Sequence, residues 1–170
     1  MKNYKLSDET KTLPWGTVLH RVVATTTFKV ACGVTITEGA VGGWIEKASN
    51  LSDNAWVSDN AEVSGNAQVY GDAWVFGDAE VYGNAKVFGK ATVSDNAQVY
   101  GDAKVSDNAQ VLGNALVSGN AWVSGYAWVY DNAKVYGRAW VSGDALVYGD
   151  VQVLVATQWM IGLHMLVTEA

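Results

Sequence analysis

The stretch that decides the fold begins at Leu51: LSDNAW (51–56), VSDNAE (57–62), VSGNAQ (63–68), VYGDAW (69–74). The same frame runs without insertion to VYGDVQ at 147–152, which makes 17 hexads over 102 residues. Val holds the first position in 16 hexads and Leu in one, while Ala holds the fifth in 16, with Val151 the exception. The third position is Gly or Asp throughout. The fourth is Asn or Asp except at Lys90, Tyr126 and Arg138.

Each position has a physical meaning. Val is β-branched and suits a buried strand. Ala is small enough to point inward where the chain turns a corner. Gly, Asn and Asp tolerate positive φ, so the third and fourth positions form the bend. The second and sixth positions flank Val on the strand and are expected to face outward. One hexad is then a short strand plus a tight turn. A continuous helix is excluded, because a period of six with Gly or Asp in every hexad cannot sustain a 3.6-residue face.

This pattern resembles the hexapeptide-repeat family, whose fold is a left-handed parallel β-helix in which three hexads form one triangular coil. The resemblance implies an all-β chain of about six coils, with an irregular N-terminal cap over 1–50, the repeat over 51–152 and a short C-terminal cap or oligomerisation segment over 153–170. At ~4.8 Å per stacked strand the prism is roughly 27 Å tall. The cap contains a strand-like run, Thr17–Phe28, and then Val34–Leu51, which reads as an irregular first coil. Within it, Gly42-Gly-Trp-Ile-Glu46 followed by Asn50-Leu-Ser52 resembles the lead-in of hexapeptide proteins from bacteriophages and prophages.

Composition narrows the function classes. The chain has 170 residues and a net charge of −6, from 11 Lys+Arg against 17 Asp+Glu. An acidic chain without a basic run is a poor binder of nucleic-acid backbones. Its single cysteine, Cys32, excludes an intrachain disulfide and a Cys-based zinc site, and is expected to be a small buried residue. The polar start Met1–Leu13 has no apolar signal-peptide core. The apolar stretch Val151–Val167 is shorter than the ~20 residues of a spanning helix. The expected location is the cytoplasm of a bacterial host cell, away from the membrane. The sequon Asn50-Leu51-Ser52 reads as accidental.

Catalytic chemistry finds little support. Hexapeptide acyltransferases use a His base at a subunit boundary, and the related carbonic anhydrases need three His on a metal. This chain has only His20 and His164, both outside the hexads. The second-position serines Ser58, Ser64, Ser94, Ser106, Ser118, Ser124 and Ser142 have no His in a matching coil. The corner Asp and Asn residues are explained as turn formers, so neither metal nor cofactor is expected.

The outward positions are more informative. A coil of 18 residues sorts the hexads onto three faces. On the first, the sixth-position ladder runs Gln68, Lys86, Lys104, Trp122, Trp140. The second carries Trp56, Trp74, Thr92, Gln110, Trp128 and Leu146 beside Ser58, Phe76, Ser94, Leu112, Tyr130 and Tyr148. The third shows Glu62, Glu80, Gln98, Leu116 and Lys134. The second face is uncharged and rich in aromatics, beyond what a monomer normally exposes. Its expected role is a subunit or ligand interface made by Trp56, Trp74, Phe76, Trp128, Tyr130 and Tyr148, extended by Trp122 and Trp140. The family resemblance implies a homotrimer of parallel prisms. The expected function is a non-catalytic trimeric binding or scaffold protein of phage or prophage type. It would sequester or block a host protein, or hold a small nucleotide or sugar between subunits. An acyltransferase-like enzyme, with His20 or His164 folding back across a subunit boundary, is the alternative.

Overall fold

The computed structural model describes residues 2–155. Its hexads wind into a β-solenoid of about six turns. Each hexad contributes a strand of its sixth and first residues, such as Trp74–Val75 or Gln98–Val99. Every strand pairs in parallel with the strand 18 residues on, so Thr92 lies over Trp74 and Gln110 over Thr92. The three faces are the three sheets. The first has five strands from Gln68–Val69 to Trp140–Val141, and the second has six from Trp56–Val57 to Leu146–Val147.

The interior holds two kinds of residue. Val63, Val75, Val81, Val87, Val93, Val99, Val105 and Val111 are fully buried, and so are the fifth-position alanines Ala61 to Ala133. At ~25 cal/mol per Å² of apolar surface, this dry column is the main source of stability. Backbone bonds run along its axis: Trp74 N–H donates to the Ala91 carbonyl (3.0 Å) and Phe76 N–H to that of Val93 (3.0 Å).

All 17 third positions take positive φ, from 56° at Asp53 to 74° at Gly71, and no fourth position does. The bend is therefore set by one residue per hexad. Its N–H makes no backbone hydrogen bond among the described residues. Where the third position is Asp, its carboxylate accepts the N–H one coil above: Asp59 from Gly77 (3.1 Å) and Asp95 from Gly113 (3.0 Å). The fourth positions add their own rungs, with the Asn60 amide donating to Asp78 (3.0 Å) and that of Asn132 to Asp150 (2.9 Å).

The N-terminal cap extends the third face to nine strands. The strands β1 (Tyr4–Thr12) and β2 (Val18–Ala24) form an antiparallel hairpin. After β3 (Phe28–Lys29) and β4 (Thr35–Ile36), β5 (Val41–Ile45) joins β2 antiparallel and the Glu62–Val63 strand in parallel. The polar start is thus a nine-residue strand, whose Lys5, Asp8, Glu9 and Lys11 guard the sheet edge against further pairing. Tyr4 pins it, donating from its hydroxyl towards the carbonyls of Ala48 (2.5 Å) and Leu51 (2.6 Å). Asn50 of the sequon is buried, its amide donating to the Gly65 and Ala67 carbonyls, so it is a structural residue.

The strand Gln152–Val155 continues the third face past the last hexad. His164 and the rest of the expected C-terminal cap from 156 onward lie outside the described residues.

Candidate functional site

The aromatic ladder on the second face is divided by the cap. Trp56 is not at the surface: it is 1% exposed, packed edge-to-face on Phe28 at 5.7 Å. Gly42 permits this, because a Cβ there would lie 2.6 Å from the indole. Trp74 is half-buried, stacked on Phe76 at 4.1 Å, and its indole N–H donates to Ser58 Oγ at 2.6 Å. Tyr130 and Tyr148 stack on each other at 5.3 Å. Several flanking residues expected to face outward are also buried: Thr92, Ser94, Ser106, Ser118 and Ser124. Thr92, Ser94 and Ser118 are small side chains between larger ladder neighbours, as Thr92 is between Trp74 and Gln110, while Ser106 and Ser124 accept hydrogen bonds from the indoles of Trp122 and Trp140.

The exposed aromatics concentrate toward the C-terminal coils. Trp122, Tyr126 and Trp128 come from one coil and are 37%, 63% and 41% exposed. They wrap the corner that joins the first and second faces. The next coil adds Trp140, stacked on Trp122 at 5.4 Å, and Leu146. Lys104 sits over the Trp122 ring at 5.6 Å. Of the residues expected at the interface only Trp56 is buried, while Trp74, Phe76, Tyr130 and Tyr148 stay half-buried; Tyr126 is an exposed neighbour in this apolar belt, one that the hexad pattern presented only as a broken turn position.

The turn Ala31–Gly33 packs against the prism at the level of Asp72, with Ala31 buried and its N–H donating to the Asp72 carbonyl at 2.6 Å. Cys32, the middle residue of this turn with φ 58°, is exposed rather than buried. Between turn and prism lies a groove of about 710 Å³, bordered by the cations Lys29 and Lys90, the carboxylate Asp72, and Thr92, Gln110, Tyr126 and Trp128.

A second groove, of about 670 Å³, opens on the third face below the β1–β2 turn, where Trp15 and Tyr82 face Glu46, Glu62 and Glu80. Glu62 is ion-paired with Lys11, and Glu46 accepts the Gly65 N–H at 2.5 Å. Burial pushes the Glu80 carboxyl up, and the neighbouring Glu62 adds to this while Lys11 opposes it. Among the described residues no three His, Cys, Asp or Glu side chains are placed to hold a metal ion, and no helix is long and apolar enough to cross a membrane. His20 is half-buried in β2, between β1 and β5.

A family model described as YdcK Beta solenoid repeat matches residues 97–113 and 109–125, the coils directly below the belt and its first turn. The chain is similar to that repeat there. No curated protein matches the chain. The likeness agrees with the observed solenoid and speaks to the fold, since function lives in sites placed on folds.

Proposed function

We propose that this protein is a non-catalytic, self-associating β-solenoid that binds and holds partners, of the kind encoded by bacteriophages and prophages and working in the bacterial cytoplasm. The observation that carries this reading is the belt of Trp122, Tyr126, Trp128, Trp140 and Leu146, five large apolar side chains exposed on adjacent coils. Such patches mark interaction surfaces, and Trp and Tyr concentrate binding energy at them. The occupant of the first-face part of this belt, Trp122 and Trp140, is a second copy of the chain. The resemblance to hexapeptide-repeat proteins, which assemble as parallel trimers, supports three copies, leaving the corners and the grooves to engage a host component or small ligand. The alternative acyltransferase chemistry would require a base brought in by a neighbouring subunit.

Sedimentation velocity tests this. The unmodified protein is expected as a trimer, and Trp140→Glu, on the belt, as a smaller species with unchanged circular dichroism. A monomeric unmodified protein would overturn the reading.

A further inference from the structure

The fourth position departs from its turn formers at only three places, and two of them share a corner. Asn54, Asp72, Lys90, Asn108 and Tyr126 follow each other at 18-residue intervals up the edge between the first and second faces. Lys90 and Tyr126 are thus two coils apart, about 10 Å along the axis. Arg138 stands on a different corner.

The Ala31–Gly33 turn rises beside that same corner, and with it encloses the 710 Å³ groove. Two features of the groove are unsatisfied within the molecule. First, neither Lys29 nor Lys90 forms an ion pair among the described residues, although the chain carries a net charge of −6. Second, Trp128 differs from its relatives in the ladders. Trp74, Trp122 and Trp140 each donate from the indole N–H to the serine 16 residues earlier, but that place belongs to Leu112 for Trp128. Neither Trp128 nor Tyr126 stacks on another ring among the described residues, whereas Tyr70–Phe88, Tyr82–Tyr100, Trp122–Trp140 and Tyr130–Tyr148 do. The floor between rings and cations is Thr92 and Gln110, a hydroxyl and an amide.

We infer that this groove binds a small anion carrying a flat ring, of the mononucleotide class, with the ring on Trp128 and Tyr126 and the phosphate between Lys90 and Lys29. Two exposed ring faces offer stacking, and the two ammonium groups offer charge-assisted hydrogen bonds to phosphate. Gln110 has both the donor and the acceptor that a base edge requires. This deepens the binding-protein reading above, but it uses the corner rather than subunit association.

Calorimetric titration with the four 5′-ribonucleotide monophosphates tests it, using the full-length protein at low salt. At least one is expected to bind in the micromolar range. Its nucleoside and ribose 5-phosphate are each expected to bind at least tenfold more weakly, since each lacks one half of the recognised chemistry. Lys90→Gln and Tyr126→Ala are expected to lose at least tenfold in affinity, whereas Arg138→Gln leaves it unchanged. Both varied side chains are exposed, and unchanged melting curves would verify folding. Binding by none of the four, or equal binding to Lys90→Gln, overturns the inference. Trp140→Glu separates the two readings: a loss of assembly with nucleotide binding retained leaves this one standing, and Lys90→Gln is expected to give the converse.

Discussion

The indole N–H of Trp122 donates to Ser106 Oγ at 2.9 Å, one coil earlier on the first face. Ser106 is almost completely buried beneath that indole. The same 16-residue link joins Trp74 to Ser58 and Trp140 to Ser124. Second-position serines thus orient sixth-position indoles. Ser106→Ala leaves the indole N–H without its partner, at about 1 kcal/mol. The expected drop in melting temperature is about 2–4 °C by calorimetry. No drop would mean that solvent replaces the serine.

The cap depends on two consecutive glycines. A Cβ on Gly43 would lie 2.7 Å from both the Ala61 carbonyl oxygen and a Val57 methyl. Gly43→Ala should cost about 1–3 kcal/mol through overpacking. It should also loosen β5 over Trp56, so acrylamide quenching of tryptophan fluorescence should rise along with the loss in urea stability. A variant as stable and as protected as the parent would contradict the described packing.

Core and cap valines should respond very differently. Val111 is fully buried mid-column, while Val41 is 62% exposed on β5. Val111→Ala removes two buried methyl groups and should cost about 2–3 kcal/mol. Val41→Ala should stay within about 0.5 kcal/mol. Chemical denaturation measures both, and equal costs would be incompatible with a valine-filled interior.

The third-face groove predicts a pH dependence. The Glu80 carboxyl is raised by burial first and by Glu62 second. Its folded form therefore holds a proton more tightly than the unfolded chain does. Below the ordinary carboxylate value of about 4.3 the group is protonated in both states and carries no penalty. As pH climbs through the ordinary value and then the raised one, stability is lost. Glu80→Gln is expected to melt above the parent at pH 7 and level with it near pH 4. A variant no more stable at pH 7 would refute this account of the groove.

The prism was legible in the sequence because period and chemistry agree. Val at the first position, Ala at the fifth and Gly or Asp at the third each allow one environment, and the 18-residue register follows. The cap was less legible. Tyr4–Thr12 is polar because it forms a sheet edge, so it lacks the alternation that marks a half-buried strand. Trp56 occupies the same sixth hexad position, after Ala, as its exposed relatives. What distinguishes it is 14 residues upstream, where Gly42 clears space for the ring. The serines beneath Trp74, Trp122 and Trp140 are visible in the sequence as a spacing of 16, but only a structure gives that spacing meaning. Cys32 is exposed although its residue type favours burial, because it occupies the positive-φ middle position of the Ala31–Gly33 turn rather than a strand of the prism.

The chain repeats every six residues but the molecule repeats every 18. Loss of one hexad would rotate everything beyond it by a third of a turn, carrying Trp128 off the second face and Lys90 away from the Ala31–Gly33 turn. Loss or gain of three hexads would shorten or lengthen the column and leave each later residue on its own face. Recombination among such similar segments can therefore generate variants of different height readily, but heritable ones that keep their surface pattern must come in whole coils.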